Sequence, residues 1–319
     1  MNTIDHHTDA YDVVVIGGGA AGLSAALVLS RARRSVLVVD AGSPRNAPTA
    51  HMHGFLSRDG MAPADLIRIG GAEVVTYGGE IANATVDRVT RSDVAGFDML
   101  LADGRRVSAR RLLVATGLRD ELPEVHGLRE RWARDVLHCP YCHGWEVRDQ
   151  RLGVLSGGSP DSVKYAQIVR QWSSDVVLFV PPDSLTVDDR AELLARAVGI
   201  IEGEATRVVV AEDRLTGLEM SDGRRIDRDA LFVPPRFVPN SRLLDQLGCQ
   251  VDDRGWVVKD ATGLTSIPGV WVAGNVANPR AQVITAAGEG SAAAIALNAD
   301  LVDEDVRAAV NSVELGLRS

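Results

Sequence analysis

Runs of aliphatic residues, each closed by glycine, set the pattern of this chain. Tyr11-Asp12-Val13-Val14-Val15-Ile16 ends in consecutive apolar positions with no alternation, which predicts a strand buried on both faces. Gly17-Gly18-Gly19-Ala20-Ala21-Gly22 follows at once. Leu23 to Ala32, rich in Ala and Leu, predicts a helix, and Ser35-Val36-Leu37-Val38-Val39 a second strand ending at Asp40. The same order recurs later. Arg151-Leu152-Gly153-Val154-Leu155 leads into Ser156-Gly157-Gly158-Ser159-Pro160-Asp161-Ser162, then a helix through Trp172 and the strand Val176–Val180. Arg111 to Gly117 and Gly269 to Asn275 are two more strands closed by glycine turns. Ala281 to Asn298 is small and apolar and predicts a helix, and the acidic stretch Asp188 to Ala197 a solvated one. Strands alternating with helices predict an α/β fold with parallel sheets.

The first glycine turn has the spacing G-x-G-x-x-G between a strand and a helix, with an acid after the second strand. Gly17 permits the tight turn, Gly19 lets the backbone approach a pyrophosphate, and Gly22 lets helix and strand pack closely. The helix N-terminus after the turn offers free N–H groups to phosphate, with Ala20 and Ala21 in the turn itself, and Asp40 offers a carboxylate to a ribose. This fingerprint does not separate FAD from NAD. Ala115-Thr116-Gly117 and Gly274-Asn275, in this order after it, favour FAD. The N-terminus of the helix read over Ala281 to Asn298, with Gln282 and Val283 in its first turn, would face a flavin pyrimidine.

The second turn is damaged. No register through Ser156 or Gly157 places three glycines or alanines at the needed positions, and Asp161 near a helix start repels a pyrophosphate. The following strand ends in Pro181-Pro182-Asp183, with no Arg or Lys to hold a 2′-phosphate. The expectation is a pyridine-nucleotide fold that has lost its site; an unusual loop that still binds NAD(P)H is the alternative.

Composition narrows the chemistry. A net charge of −9, from 34 basic and 43 acidic residues, argues against a nucleic-acid or anionic-membrane surface. The first ten residues lack the apolar run of a signal peptide, and no stretch of about 18 apolar residues is present. A cytoplasmic protein without membrane or nucleic-acid partners is expected. With 3 cysteines in 319 residues the chain is no disulfide scaffold. Cys139-Pro140-Tyr141-Cys142, flanked by His138 and His143, is either a redox pair or metal ligands. A zinc site from four ligands within six residues would be strained, and C-x-x-C-H haem attachment belongs to exported proteins, so no metal is expected. Cys249, with no cysteine or histidine near it in sequence, reads as a buried, inert thiol.

Together, Gly17 to Gly22, Ala115-Thr116-Gly117, Cys139 to Cys142 and Gly274 with its helix resemble the low-molecular-weight thioredoxin reductase family of flavoproteins. That resemblance implies two Rossmann-like three-layer domains. An FAD domain, residues 1–119 and 242–319, is interrupted by a pyridine-nucleotide-type domain, residues 120–241, that carries the cysteines. Two departures stand out: the damaged second fingerprint, and His143 where typical members carry aspartate. The string His138 to Glu146 is similar to that of the FAD-dependent dithiol oxidases, which form the disulfide of holomycin- and gliotoxin-type natural products with molecular oxygen. Arg45-Asn46 and His53-Gly54 look like that subgroup's flavin-side loop, and the resemblance implies that His53 and Gly54 lie near the isoalloxazine. It also implies a homodimer, and catalytic roles for Cys139 and Cys142. His143 holds the family's acid position and is the first candidate for the acid–base role, His138 the second. The implied partners are a small-molecule dithiol and oxygen. The alternatives are an NADPH- or ferredoxin-dependent thioredoxin-disulfide reductase and, outside catalysis, a flavin redox sensor.

Overall fold

The computed structural model describes residues 9–92, 96–156 and 161–316. Gly157 to Pro160 of the second glycine turn lie outside the described residues. In chain order the elements begin β1 Asp9–Ile16, α1 Ala20–Arg31, β2 Val36–Asp40, α2 Pro63–Thr76, β3 Glu80–Asn83, β4 Val86–Ser92, β5 Gly96–Leu101 and β6 Arg106–Val114. There follow β7 Leu118–Glu121, β8 Val136–Leu137, α3 Pro140–His143, β9 Leu152–Leu155, α4 Ser162–Val169, β10 Val176–Val180, α5 Val187–Ala195 and β11 Val198–Glu202. The chain closes with β12 Ala205–Ala211, β13 Arg214–Met220, β14 Arg225–Asp227, β15 Ala230–Phe232, β16 Arg236–Pro239, α6 Arg242–Gln246, β17 Val270–Val272 and α7 Val283–Gly316.

The chain divides into two compact units, residues 1–47, 62–119 and 239–319 in the first and residues 48–61 and 120–238 in the second. The sequence reading includes residues 48–61 in the FAD domain, 1–119; they group with the cysteine-bearing unit instead.

In the first unit the sheet runs β3-β2-β1-β6-β5-β4, with β17 also on β6. β1 is parallel to β2 and β6, and β17 is parallel to the end of β6, Leu112 to Val114. The unbroken apolar runs have a direct cause. Side chains alternate across a sheet, and here both faces are covered. Val13 and Val15 sit in one core with Ala25, Ala26, Leu29 and Leu297, while Val14 and Ile16 sit in the other with Phe97, Leu112 and Leu244. Buried aliphatic side chains of this kind contribute about 1.5–3 kcal/mol each.

The terminal helix is longer than the sequence reading, which stopped it at Asn298. Its first half packs Ala286, Ala293, Ala294, Leu297 and Leu301 into the core. A Cβ on Gly290 would stand 2.0 Å from the Ala21 carbonyl oxygen, so α7 and α1 meet backbone to backbone. The second half is anchored by charge rather than apolar burial: Arg110 Nε donates to Glu304 at 2.8 Å and Arg34 Nη1 to Asp305 at 2.7 Å.

The second unit is built on the parallel sheet β11-β10-β9-β15-β8. Val176, Leu178 and Val180 of β10 face the core that includes α4, and Val177 and Phe179 face the opposite one. β9–α4–β10 therefore has the strand–helix–strand form expected from the second apolar run. The antiparallel β12-β13-β14 supports its other side. The acidic segment forms α5, closed by a capping box in which Thr186 and Asp189 satisfy each other's backbone N–H groups. Among the described residues no helix is long and apolar enough to cross a membrane.

Candidate active site

In the first unit the glycine turn is shaped by contacts that a side chain would destroy. Gly17 has φ +106°, and a Cβ there would lie 2.4 Å from the Ala115 carbonyl oxygen. One on Gly22 would lie 1.8 Å from the Gly17 carbonyl oxygen. Gly19 differs: it is the N-cap of α1, no side chain caps the helix there, and a Cβ would meet nothing within 4 Å. The first turn of α1, at Ala20 and Ala21, thus opens onto free space with its N–H groups forward, which fits an anionic pyrophosphate. Asp40 stands at the end of β2, where its carboxylate accepts the Gly18 N–H at 2.9 Å and the Gly42 N–H at 3.2 Å. A carboxylate has further acceptor capacity for ribose hydroxyls. These residues fit a dinucleotide.

The other residues expected at the cofactor fall into three groups. Arg45, in the turn with Asn46, points Nη1 at Asn275 Oδ1, 3.4 Å away. The Asn275 amide donates to the carbonyls of Asn278 and Ala281 at 2.9 and 3.0 Å, which pins the turn ahead of α7. Thr116, between Ala115 and Gly117, is tied to Asn240 by reciprocal bonds of 2.8 and 2.9 Å. Gln282 accepts the Ala286 N–H at 2.8 Å, and Val283 opens the helix. Glu289 was not anticipated: it accepts the Gly274 N–H at 2.9 Å and the Asn278 amide at 2.6 Å, fixing a glycine with φ +73°.

The cysteines lie in the second unit. Cys139 is extended (φ −102°, ψ 111°) and caps the one-turn helix α3, with Pro140 at its first position. Proline is favoured there because its missing N–H has no helical partner to lose. Cys142 and His143 N–H groups donate to the Cys139 carbonyl at 3.1 Å each. This turn brings the Cα atoms to 5.2 Å, and the two sulfurs are bonded. Gly144 ends the turn, and a Cβ there would meet Trp172 at 2.7 Å, so α3 lies directly on the indole. Tyr141 packs edge-on against the same ring, with centroids 5.6 Å apart.

The two flanking histidines occupy different surroundings. The backbone carbonyl of His138 accepts the Tyr165 hydroxyl, and its ring meets Phe237 edge-on at 5.0 Å. The His143 pKa lies below the ordinary imidazole value because burial disfavours its charge; Glu146 opposes this shift and His53 adds to it. A neutral imidazole is the form that can take a proton from a thiol.

His53 lies beside this group, within the same unit. Its Nδ1 is 3.2 Å from Asp59 Oδ2 and its Nε2 is 3.5 Å from Glu146 Oε1. Its ring faces that of His143 edge-on, with centroids 6.4 Å apart. The Gly54 N–H donates to Asp59 at 2.8 Å. Asp59 and Glu146 were not singled out from the sequence; a carboxylate a few residues from a histidine is too common a pattern to mark them. Cys249 is buried, with Sγ 3.6 Å from Thr265 Oγ1, and its thiol pKa is pushed up by burial. Of the aromatic residues, Trp271 is core while Trp145 is 64% exposed, with Arg148 stacked on its ring.

A dinucleotide turn in one unit and a C-x-x-C disulfide on a second nucleotide-type fold define a flavin-dependent thiol/disulfide oxidoreductase. The model of the family described as pyridine nucleotide-disulphide oxidoreductase matches residues 11–290, and the chain belongs to that family. The solved structure of HlmI is 54% identical and covers 99% of each chain, with a TM-score of 0.92. A putative thioredoxin reductase, TrxB, from Bacillus anthracis is 33% identical over 92% of this chain and 99% of its own, with a TM-score of 0.88. Thioredoxin reductase sirT of Leptosphaeria maculans is 28% identical over 93% of this chain and 96% of its own length. The relatives are thus thioredoxin reductase-like, as the motifs implied.

Proposed function

We propose that this chain is an FAD-dependent dithiol oxidase. It forms a disulfide in a small dithiol natural product through the Cys139–Cys142 pair, with oxygen reduced to hydrogen peroxide. In this reading the first unit holds FAD, and the second keeps a nucleotide-type fold without its nucleotide. The enzyme is read as cytoplasmic, and as a homodimer, which the resemblance implies.

One observation carries the direction of electron flow. Asp161 is the N-cap of α4, the helix start that would receive a pyrophosphate in the second unit. A carboxylate there opposes an anion. β10 ends at Val180 and runs into Pro181-Pro182-Asp183, with no cation for a 2′-phosphate. In this reading NADPH supplies no electrons, and a dithiol is the donor.

The chemistry divides into two exchanges. One substrate thiol gives its proton to His143, and its sulfur attacks Cys139 Sγ. The Cys139–Cys142 bond breaks, and Cys142 leaves as thiolate with the electron pair. Once the first proton has left His143 for solvent, the second substrate thiol gives its proton to the same imidazole and attacks the substrate sulfur of the mixed disulfide. The bond to Cys139 breaks, and Cys139 leaves with its pair. The substrate has lost two protons and two electrons, and the cysteine pair has gained the electrons. Cys139 is assigned the attacked position and Cys142 the sulfur that passes electrons onward, both from the family resemblance. FAD, when bound, supplies the two-electron acceptor and transfers the pair to oxygen.

The names of the relatives support one competing reading, a thioredoxin reductase, fed by NADPH or ferredoxin, in which the same pair runs in reverse. Anaerobic stopped-flow separates the oxidase from the NADPH-dependent form. In the oxidase reading a dithiol bleaches the flavin absorbance rapidly and NADPH does not. Rapid bleaching by NADPH would assign the chain to the reductases.

A further inference from the structure

Two imidazoles and two carboxylates stand together beside the cysteine turn, and only His143 has been given a role. His53 is held at both ring nitrogens, by Asp59 at 3.2 Å and Glu146 at 3.5 Å. Asp59 is fixed in turn by the Gly54 N–H. Exposure rises outward, from 21% at the His53 side chain to 42% at Glu146 and 66% at Asp59. Glu146 acts on both imidazoles: it contacts His53, and its charge is felt by His143. The group thus runs from half-buried His143 to solvent, with one carboxylate serving two rings.

We propose that His53 and Glu146 are positioning residues of the thiol–disulfide exchange, and that with His143 they form one coupled group that takes up a single proton per thiol attack. The inference rests on the reading of His143 as the base. Each exchange removes one proton from a substrate sulfur and leaves an imidazolium at His143. Ionised Glu146 favours that imidazolium, whereas a protonated His53, with ring centre 6.4 Å away, disfavours it. Glu146 is the carboxylate that the two rings share, so a proton on one ring weighs against a proton on the other, and the exposed side of His53, bordered by Asp59 and Glu146, is where the proton leaves for water. The charged groups facing His53 are Asp59, Glu146 and His143; those facing His143 are Glu146 and His53. The bonded cysteines do not titrate.

The test is an NMR titration of the flavin-loaded, oxidised protein carrying isotope-labelled histidine, with signals assigned by the loss of one set in H143Q and another in H53Q. E146Q is expected to move the His143 titration to lower pH and H53Q to move it to higher pH. E146D should return it toward wild type. The pH midpoint of anaerobic flavin reduction by a dithiol is expected to move in the same two directions. Opposite displacements distinguish coupling from loosened packing. His143 titrations that superimpose in wild type, E146Q and H53Q would overturn the inference. Glu146 is exposed, so E146Q suffices should H53Q fail to fold. The underlying reading fails separately: an H143Q protein that a dithiol reduces at the wild-type rate removes His143 as base, whatever the titrations show.

Discussion

Glu146 Oε1 lies 3.5 Å from His53 Nε2, so a residue just past the cysteine turn meets a segment that leaves the chain between β2 and α2. That contact ties residues 48–61 to the segment just past the redox disulfide. It adds to the proposed acid–base group a member that sequence order alone would assign elsewhere.

Cys142→Ser should leave the fold and the bound flavin intact, because the dinucleotide turn belongs to the other unit. The variant is expected to be yellow and to show no flavin bleaching when mixed anaerobically with a dithiol. Bleaching at the normal rate would remove Cys142 from the electron path.

In the proposed cycle the neutral form of His143 is the active base, and burial lowers its pKa below the ordinary 6.5. Reduction of the protein by a dithiol should therefore rise with pH through a midpoint below that value. His143→Gln should abolish this limb and slow reduction about 10²–10⁴-fold. The stability sign follows from the same shift. Between the lowered folded value and the ordinary unfolded one, the unfolded chain binds the extra proton. The contribution of His143 to stability is full above that window and is lost as pH falls through it. Denaturation of wild type and His143→Gln at paired pH values measures it.

Two glycines of one turn should fail in different ways. A Cβ on Gly22 would lie 1.8 Å from backbone at Gly17, so Gly22→Ala is expected to cost at least ~1–3 kcal/mol through the strain of making room. A Cβ on Gly19 meets nothing within 4 Å, so Gly19→Val should destabilise the flavin-free protein by only about 1 kcal/mol, through the poorer helix cap. Its side chain would fill the space the pyrophosphate needs, so the purified variant should be colourless. Denaturant midpoints and the ratio of flavin to protein absorbance separate the two outcomes.

Gly144→Ala should strain the cysteine turn itself. The added methyl would sit 2.5 Å from the Pro140 carbonyl oxygen and 2.7 Å from the Trp172 ring. Destabilisation of ~1–3 kcal/mol is expected. Tryptophan fluorescence should change as the ring moves, while flavin content stays that of wild type.

The strands were legible in the sequence because both faces of each sheet are covered, which leaves unbroken apolar runs such as Val13 to Ile16 and Val176 to Val180. The glycine turn was legible because Gly17 and Gly22 answer to backbone contacts that no other residue permits. What was not legible depended on distant partners. The outer half of α7 carries no continuous apolar stripe into the core and is anchored by Arg34, Arg110 and Arg111, which lie far away in sequence. Residues 48–61 have no regular secondary structure to predict, and their place is set by Met52 burial and the His53 contacts. Asp59, Glu146 and Glu289 gain their roles only from what folding brings to them.

Oxygen uptake with a dithiol substrate, in the absence of NADPH, tests the central claim most directly. The account predicts that the flavin-loaded protein consumes one oxygen and releases one hydrogen peroxide for each disulfide formed, and that Cys142→Ser consumes none. No oxygen uptake across a panel of small dithiols, from a protein whose flavin NADPH reduces, would contradict it.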